Sequence, residues 1–103
     1  MTQPAISSRA DVATDAPDRY AKQLLSHLGH KLEFTTDGAV STAPIGRGTG
    51  TVLVGDGVLT LLADGPDEQA VEQVEHVLGS HLERFGQRNE LTVSWTGGPN
   101  GRG

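Results

Sequence analysis

Cysteine is absent from the 103-residue chain, which excludes disulfide bonds, catalytic thiolates and sulfur-ligated zinc sites. Aromatic residues make up only 4% of the sequence, so a base-stacking surface for single-stranded nucleic acid is not available. The 8 lysines and arginines are scattered along the chain and are outnumbered by 13 aspartates and glutamates. Because nucleic-acid binding requires a concentrated basic face, we expect no nucleic-acid partner.

Long hydrophobic runs are also missing. The longest, such as 58–63, are too short to cross a bilayer, and residues 1–10 lack the basic start and apolar stretch of a signal peptide. We therefore expect no membrane partner and a cytoplasmic location. The length suits one domain, and the ends are rich in small and polar residues, which predicts a single domain at 8–96 between disordered tails at 1–7 and 97–103.

Two segments carry apolar residues at three- and four-residue intervals, the pattern of an amphipathic helix. The first has Asp15 as its expected cap, runs to about Leu28 and is expected to end at Gly29 in a left-handed conformation. The second follows the acidic residues of 64–68 and extends to Phe85.

Closely spaced turn residues between the two helices predict antiparallel strands joined by hairpins. Weak alternation before the first helix and clean alternation after the second predict two further strands. The order β-α-β-β-β-β-α-β predicts an α+β two-layer sandwich, with a mostly antiparallel sheet and both helices on one face. The predicted strands are 8–14, 32–36, 39–45, 49–54, 58–63 and 91–96.

The central strands have apolar residues on both sides of the pleat, among them Leu53 and Leu62. A second apolar face of the sheet indicates that something covers part of it. A symmetric dimer, a bound ligand and the tails are the three covers that the sequence leaves open.

A histidine stands out on the second helix. On a helical wheel His81 lies deep in the apolar stripe, at the centre of the helix's buried face near Val74, Val77 and Leu78, whereas His76 faces water. A buried imidazole needs partners for both ring nitrogens or gives up its charge. A neutral core histidine bonded to a backbone carbonyl is the simplest interpretation.

His27, at the edge of the first helix's stripe, is the natural partner of His81. Strict alternation of the strands makes the helices antiparallel, however, which predicts His27 near the start of the second helix and far from His81. No ligand spacing is diagnostic of a metal site, so we assign no metal ligand and no catalytic residue. The imidazole and carboxylate side chains considered for zinc are His27, His30 and His81 with one of Glu33, Glu72 and Glu75.

The glycine-rich segment 46–50 is similar to a phosphate-binding loop, but a strand is expected to follow it where such loops need a helix. A hairpin turn is the better interpretation, with Arg47 as a candidate contact for an anionic ligand. We interpret Glu72 and Glu75 as solvent-face carboxylates of the second helix.

Several segments together resemble a known family: RYAKQL at 19–24, HLGHK at 27–31, HLERFG at 81–86 and LTVSW at 91–95. From about residue 8 to 96 the chain resembles the bacterial family called domain of unknown function 2218. Some relatives are joined to siderophore-interacting, flavin-dependent ferric reductase domains, so the resemblance implies a link to iron handling but no reaction. Carried over residue by residue, it implies a ligand site at His27, Lys31, His81, Arg84, Phe85 and Trp95.

These observations leave three hypotheses and assign no cofactor. The first is a non-enzymatic accessory or binding module, whose partner is a small molecule or a siderophore-related protein. The second is a small enzyme or metal-binding protein that uses His27 and His81. The third is a structural domain that forms a homodimer. The distance between His27 and His81 tests the second hypothesis.

Overall fold

The computed structural model describes residues 6–85 and 93–97. The predicted order of helices and strands is confirmed. The helices are α1 at Pro17–Leu28 and α2 at Glu68–Phe85. The strands are β1 at Ile6–Ala13, β2 at Thr35–Asp37, β3 at Val40–Ile45, β4 at Gly48–Val54, β5 at Val58–Gly65 and β6 at Thr96–Gly97.

The strands form a single sheet in the order β2-β3-β4-β5-β1-β6, and neighbouring strands are antiparallel throughout. β1 therefore lies beside β5, with Ile6 opposite Gly65 and Ala13 opposite Val58. Both helices pack on the same face of this sheet, since α1 and α2 each contact β4 and β5. The predicted α+β sandwich is confirmed.

The hydrophobic core lies between this face and the helices. Alternate residues of the central strands are buried, as the pleat requires. Both helices bury one stripe against them. The core includes Ala10 and Val12 of β1, Val52 of β4, Leu59 and Leu61 of β5, Leu24 and Leu28 of α1, and Val71, Val74, Leu78 and Leu82 of α2.

The ends of α1 differ from the prediction. The cap position is Ala16, which has no side-chain cap bond, and its N–H donates to the Thr14 hydroxyl, so the predicted cap at Asp15 is wrong. Gly29 has φ −61° and ψ −15°, which is right-handed. The chain continues in a further tight turn after the helix, because the N–H groups of residues 31 and 32 both donate to the Leu28 carbonyl.

The start of α2 agrees better with the prediction from the sequence. Asp67 precedes the helix, and its Oδ1 accepts the N–H of Ala70 at 2.9 Å, which satisfies a donor in the first turn. The glycine-rich segment forms the predicted hairpin between β3 and β4, with Ile45 opposite Gly48 and a positive φ of 60° at Gly46.

The last strand is shorter than predicted. Only Thr96–Gly97 pairs with β1, and residues 91–92 lie outside the described residues. The predicted alternation holds where it can be seen, since Val93 and Trp95 are half-buried and Ser94 is exposed. At the other end, Ile6 is already part of β1, and the remainder of both predicted tails lies outside the described residues.

The face of the sheet opposite the helices is mixed in character. Leu53 and Leu62 both lie on it and are half-buried, but Leu53 pairs with Thr60 and Leu62 pairs with Thr51. The leucines are therefore diagonal neighbours with threonines between them. Neither of the two described helices is long and apolar enough to cross a membrane.

A histidine-lined candidate site

The rings of His27 and His81 lie side by side, with centroids 5.1 Å apart and planes inclined by 46°. The prediction that the helices keep them apart is wrong. The last turn of α1, which carries His27, lies beside the turn of α2 from Val77 to His81, and side chains of both turns line the same cavity.

His81 lies on the flank of α2 that faces α1. It is half-buried, so the predicted position at the centre of the buried stripe is wrong. Its Nδ1 lies 2.6 Å from the carbonyl oxygen of Val77, as the backbone bond in our simplest interpretation requires. Because a carbonyl only accepts, Nδ1 carries the hydrogen, and in the neutral ring the lone pair is on Nε2.

A cavity of about 460 Å³ opens between the two helices and the β3–β4 hairpin. Among the residues that the structure describes, the ionisable groups that line it are all imidazole or ammonium, and none is an aspartate or a glutamate. This is notable in a chain with a net charge of −5. The lining residues are His27, Leu28, His30, Lys31, Leu32, Ile45, Gly46, Gln73, Val77 and His81.

Short local structures place these side chains. His27 belongs to the last turn of α1, and the tight turn that follows Gly29 brings His30 and Lys31 to the same opening. On α2, residues 73, 77 and 81 follow one another at intervals of four, so they share one face of the helix. That spacing was the available signal for Gln73, which the sequence analysis missed.

Arg47 has another partner, although it follows cavity residue Gly46 in the hairpin. Its guanidinium donates two hydrogen bonds to the Asp67 carboxylate, at 2.6 Å and 3.1 Å. These bonds lower the pKa of Asp67, with help from the Ala70 N–H, and raise the pKa of Arg47. Contact of Arg47 with an anionic ligand stays a prediction, but it would compete with this pair.

Comparison with known proteins now identifies the family. The profile of a family described as an uncharacterized protein conserved in bacteria (DUF2218) matches residues 9–96. The chain belongs to this family. A search of curated proteins finds no match. Among solved structures, the NMR structure of PA4090 from Pseudomonas aeruginosa is similar at 24% identity and TM-score 0.75, covering 94% of this chain and 99% of that one. At this identity the likeness supports the fold alone.

The residues implied by the DUF2218 resemblance do not all meet at one place. His27, Lys31 and His81 line the cavity described above, together with His30. Trp95 lies over Gly79 on another face of α2, and it lines a separate groove of about 320 Å³. Arg84 is exposed and lines neither of these openings. Phe85 is the last residue of α2, and its side chain lies outside the described residues.

None of the three carboxylates considered for zinc lines the histidine cavity. Glu72 and Glu75 line the Trp95 groove, and Glu33 does not line the histidine cavity. Within 6–85 and 93–97, no group of three or more histidine, aspartate or glutamate side chains is arranged to hold a metal ion.

The burial of Glu75 differs from the prediction. Its exposure is 4%, so its predicted position on the solvent face is wrong. The small side chain of Ser8 leaves room beneath α2 and supplies a hydroxyl that bonds the carboxylate.

Proposed function

We propose that the chain is a non-enzymatic binding module that holds a small anionic ligand in the cavity between α1 and α2. The observation that carries this proposal is the concentration of His27, His30, Lys31 and His81 around one opening, which no carboxylate of residues 6–85 and 93–97 lines. Anions are repelled at long range by a chain of net charge −5, so a local basic lining favours binding at this place over the rest of the surface.

The walls of the cavity suggest what kind of anion fits. Leu28, Leu32 and Ile45 supply an apolar surface below the basic groups, and the Gln73 amide supplies both donors and an acceptor. Cavities of about 300–1,000 Å³ with this mixture typically take small organic molecules. An organic anion with an apolar body therefore matches the lining better than a small inorganic ion.

The link to iron handling belongs to this proposal. Siderophores present anionic catecholate, hydroxamate or carboxylate oxygens, which are the acceptors that the Lys31 ammonium and imidazole N–H groups bind. A siderophore-related protein as partner, a homodimer and the cytoplasmic location remain predictions from the sequence and the family resemblance.

A titration followed by histidine NMR signals tests the proposal. Trp95 fluorescence is a poor reporter because the indole lies over Gly79, away from the cavity. We expect phosphate, citrate, a catecholate and a hydroxamate, with and without ferric iron, to include at least one ligand that shifts the signals of His27 and His81. The exposed His76 on another face of α2 is the internal control.

Matched lysine variants test the site. Lys31→Ala should weaken binding of that ligand about tenfold, the loss of one charge-assisted contact. Lys22→Ala removes the same charge from α1 but lines a different cavity, so it should bind as the wild type does. Equal losses in the two variants, or no histidine shift with any ligand, would refute the proposal.

A further inference from the structure

The distance between the two imidazole rings suits a shared metal ion. A metal bound by an imidazole lies about 2.0–2.1 Å from the nitrogen, hence about 3.2 Å from the ring centroid. Two rings that share one metal at an angle of about 90–110° therefore have centroids about 4.5–5.2 Å apart. The His27 and His81 centroids are 5.1 Å apart, within that interval.

The hydrogen bond of His81 is the one that metal-binding histidines make. Metal-ligating imidazoles commonly donate the second ring N–H to a carboxylate or a backbone carbonyl, which fixes the ring and its tautomer. Nδ1 of His81 is 2.6 Å from the Val77 carbonyl oxygen, so Nε2 carries the lone pair that a metal needs.

Access and donor number define the kind of site. His27 is exposed and His81 is half-buried, so an ion can reach both rings from solvent. No third histidine, aspartate or glutamate of the described residues is close enough to complete a three-donor group. The remaining coordination positions therefore fall to water or to an exogenous ligand, as in metal sites that keep open positions.

From this geometry we infer that His27 and His81 form a two-imidazole site for a divalent transition-metal ion. Imidazole pairs suit Cu²⁺, Ni²⁺ and Zn²⁺, and Cu²⁺ binds most tightly in the usual order of affinities. The anion of the proposed function then occupies the open coordination positions, beside Lys31; this second part of the inference rests on that function.

Titration of the full chain with Cu²⁺ alone, in a buffer that does not bind metals, tests the inference. Calorimetry should give one equivalent, and electron paramagnetic resonance should show two imidazole nitrogens on the copper. His27→Gln and His81→Gln should each weaken binding at least tenfold and remove one nitrogen from the spectrum.

His76→Gln is the matched control for α2, and it should bind Cu²⁺ as the wild type does. His27 is exposed, so His27→Gln is expected to keep the fold even if His81→Gln does not. Circular dichroism checks each variant. Wild-type affinity in a folded His27→Gln variant, or an equal loss in His76→Gln, would overturn the inference.

A metal-free titration with the anions separates the two proposals. If an anion shifts the histidine signals but Cu²⁺, Ni²⁺ and Zn²⁺ do not bind, the metal inference fails and the proposed function stands. If Cu²⁺ binds with two imidazole nitrogens but no anion binds in either the metal-free or the copper-loaded chain, the proposed function fails and the metal site stands.

Discussion

The hydroxyl of Ser8 in β1 donates a hydrogen bond of 2.5 Å to the carboxylate of Glu75 in α2. Both side chains are buried, with exposures of 3% and 4%. A charged group placed in a protein interior needs partners, because water no longer solvates it. This bond therefore ties α2 to β1 at a defined position.

Ser8→Ala should lower the free energy of unfolding by about 1.5–3 kcal/mol, the usual effect of losing a hydrogen bond to a charged group. The carboxylate keeps its other interactions but loses its donor from β1. Urea denaturation at neutral pH measures the change.

A double variant separates the bond from the packing. Ser8→Ala with Glu75→Met replaces both partners by apolar side chains, which removes the buried carboxylate as well as its donor. The pair of changes should therefore cost less than Ser8→Ala alone. A fully stable Ser8→Ala variant would show that this hydrogen bond does not hold α2 in place.

Gly48 marks the closest approach of β4 to the start of α2. A Cβ at this position would lie 2.5 Å from the Asp64 carbonyl oxygen and 2.8 Å from Cγ2 of Val74. Gly48→Ala should destabilise the protein by about 1–3 kcal/mol, because a backbone atom cannot move aside as a flexible side chain does. Thr49→Ala, on the open face of the same strand, is the control, and equal melting temperatures for the two variants would contradict this packing.

Periodicity and turn residues were sufficient to predict the elements of this fold, because both are local properties of the chain. The position of His81 shows where that information ends. A helical wheel gives the angle of a side chain about its own axis, but the depth of burial depends on which side the neighbouring helix occupies. His81 is at the edge of the buried stripe beside α1, whereas Glu75, about 20° from Leu82 on the same wheel, is buried within it.

The contact between His27 and His81 could not be predicted from the sequence for a related reason. Strand count gives the relative direction of two helices but not which of their turns lie side by side. The last turn of α1 lies beside the turn of α2 from Val77 to His81, and this brings the rings together. Gly29 is a similar case, since the turn after α1 stays right-handed through bonds to the Leu28 carbonyl.

Adjacent residues of β5 should respond very differently to truncation. Leu61 is fully buried under the helices, whereas Leu62 is half-buried on the open face. Leu61→Ala should lower the free energy of unfolding by about 2–5 kcal/mol, and Leu62→Ala by about 1 kcal/mol or less. Denaturant titration of both variants measures this, and a reversed order would mean that the register of β5 is wrong or that a second copy covers Leu62.

The Asp67 carboxylate should make stability depend on pH. Its folded-state pKa is lowered by the Arg47 guanidinium and by the Ala70 N–H. As the pH falls through the ordinary aspartate value of about 3.9, the unfolded chain takes up the proton first, so this stabilisation is fully present above that value and is lost progressively as the pH falls on through the lowered folded-state pKa. Asp67→Asn keeps a capping side chain but removes the charge. The urea midpoint of the wild type should therefore exceed that of the variant at pH 7, and the difference should shrink towards pH 3.

The same change in an Arg47→Gln background tests the cause. There, Asp67→Asn should lower the urea midpoint at pH 7 by less than it does in the wild type, because the main cause of the lowered pKa is already absent. A wild-type advantage that is the same at pH 7 and pH 3 would show that the ion pair does not stabilise the start of α2.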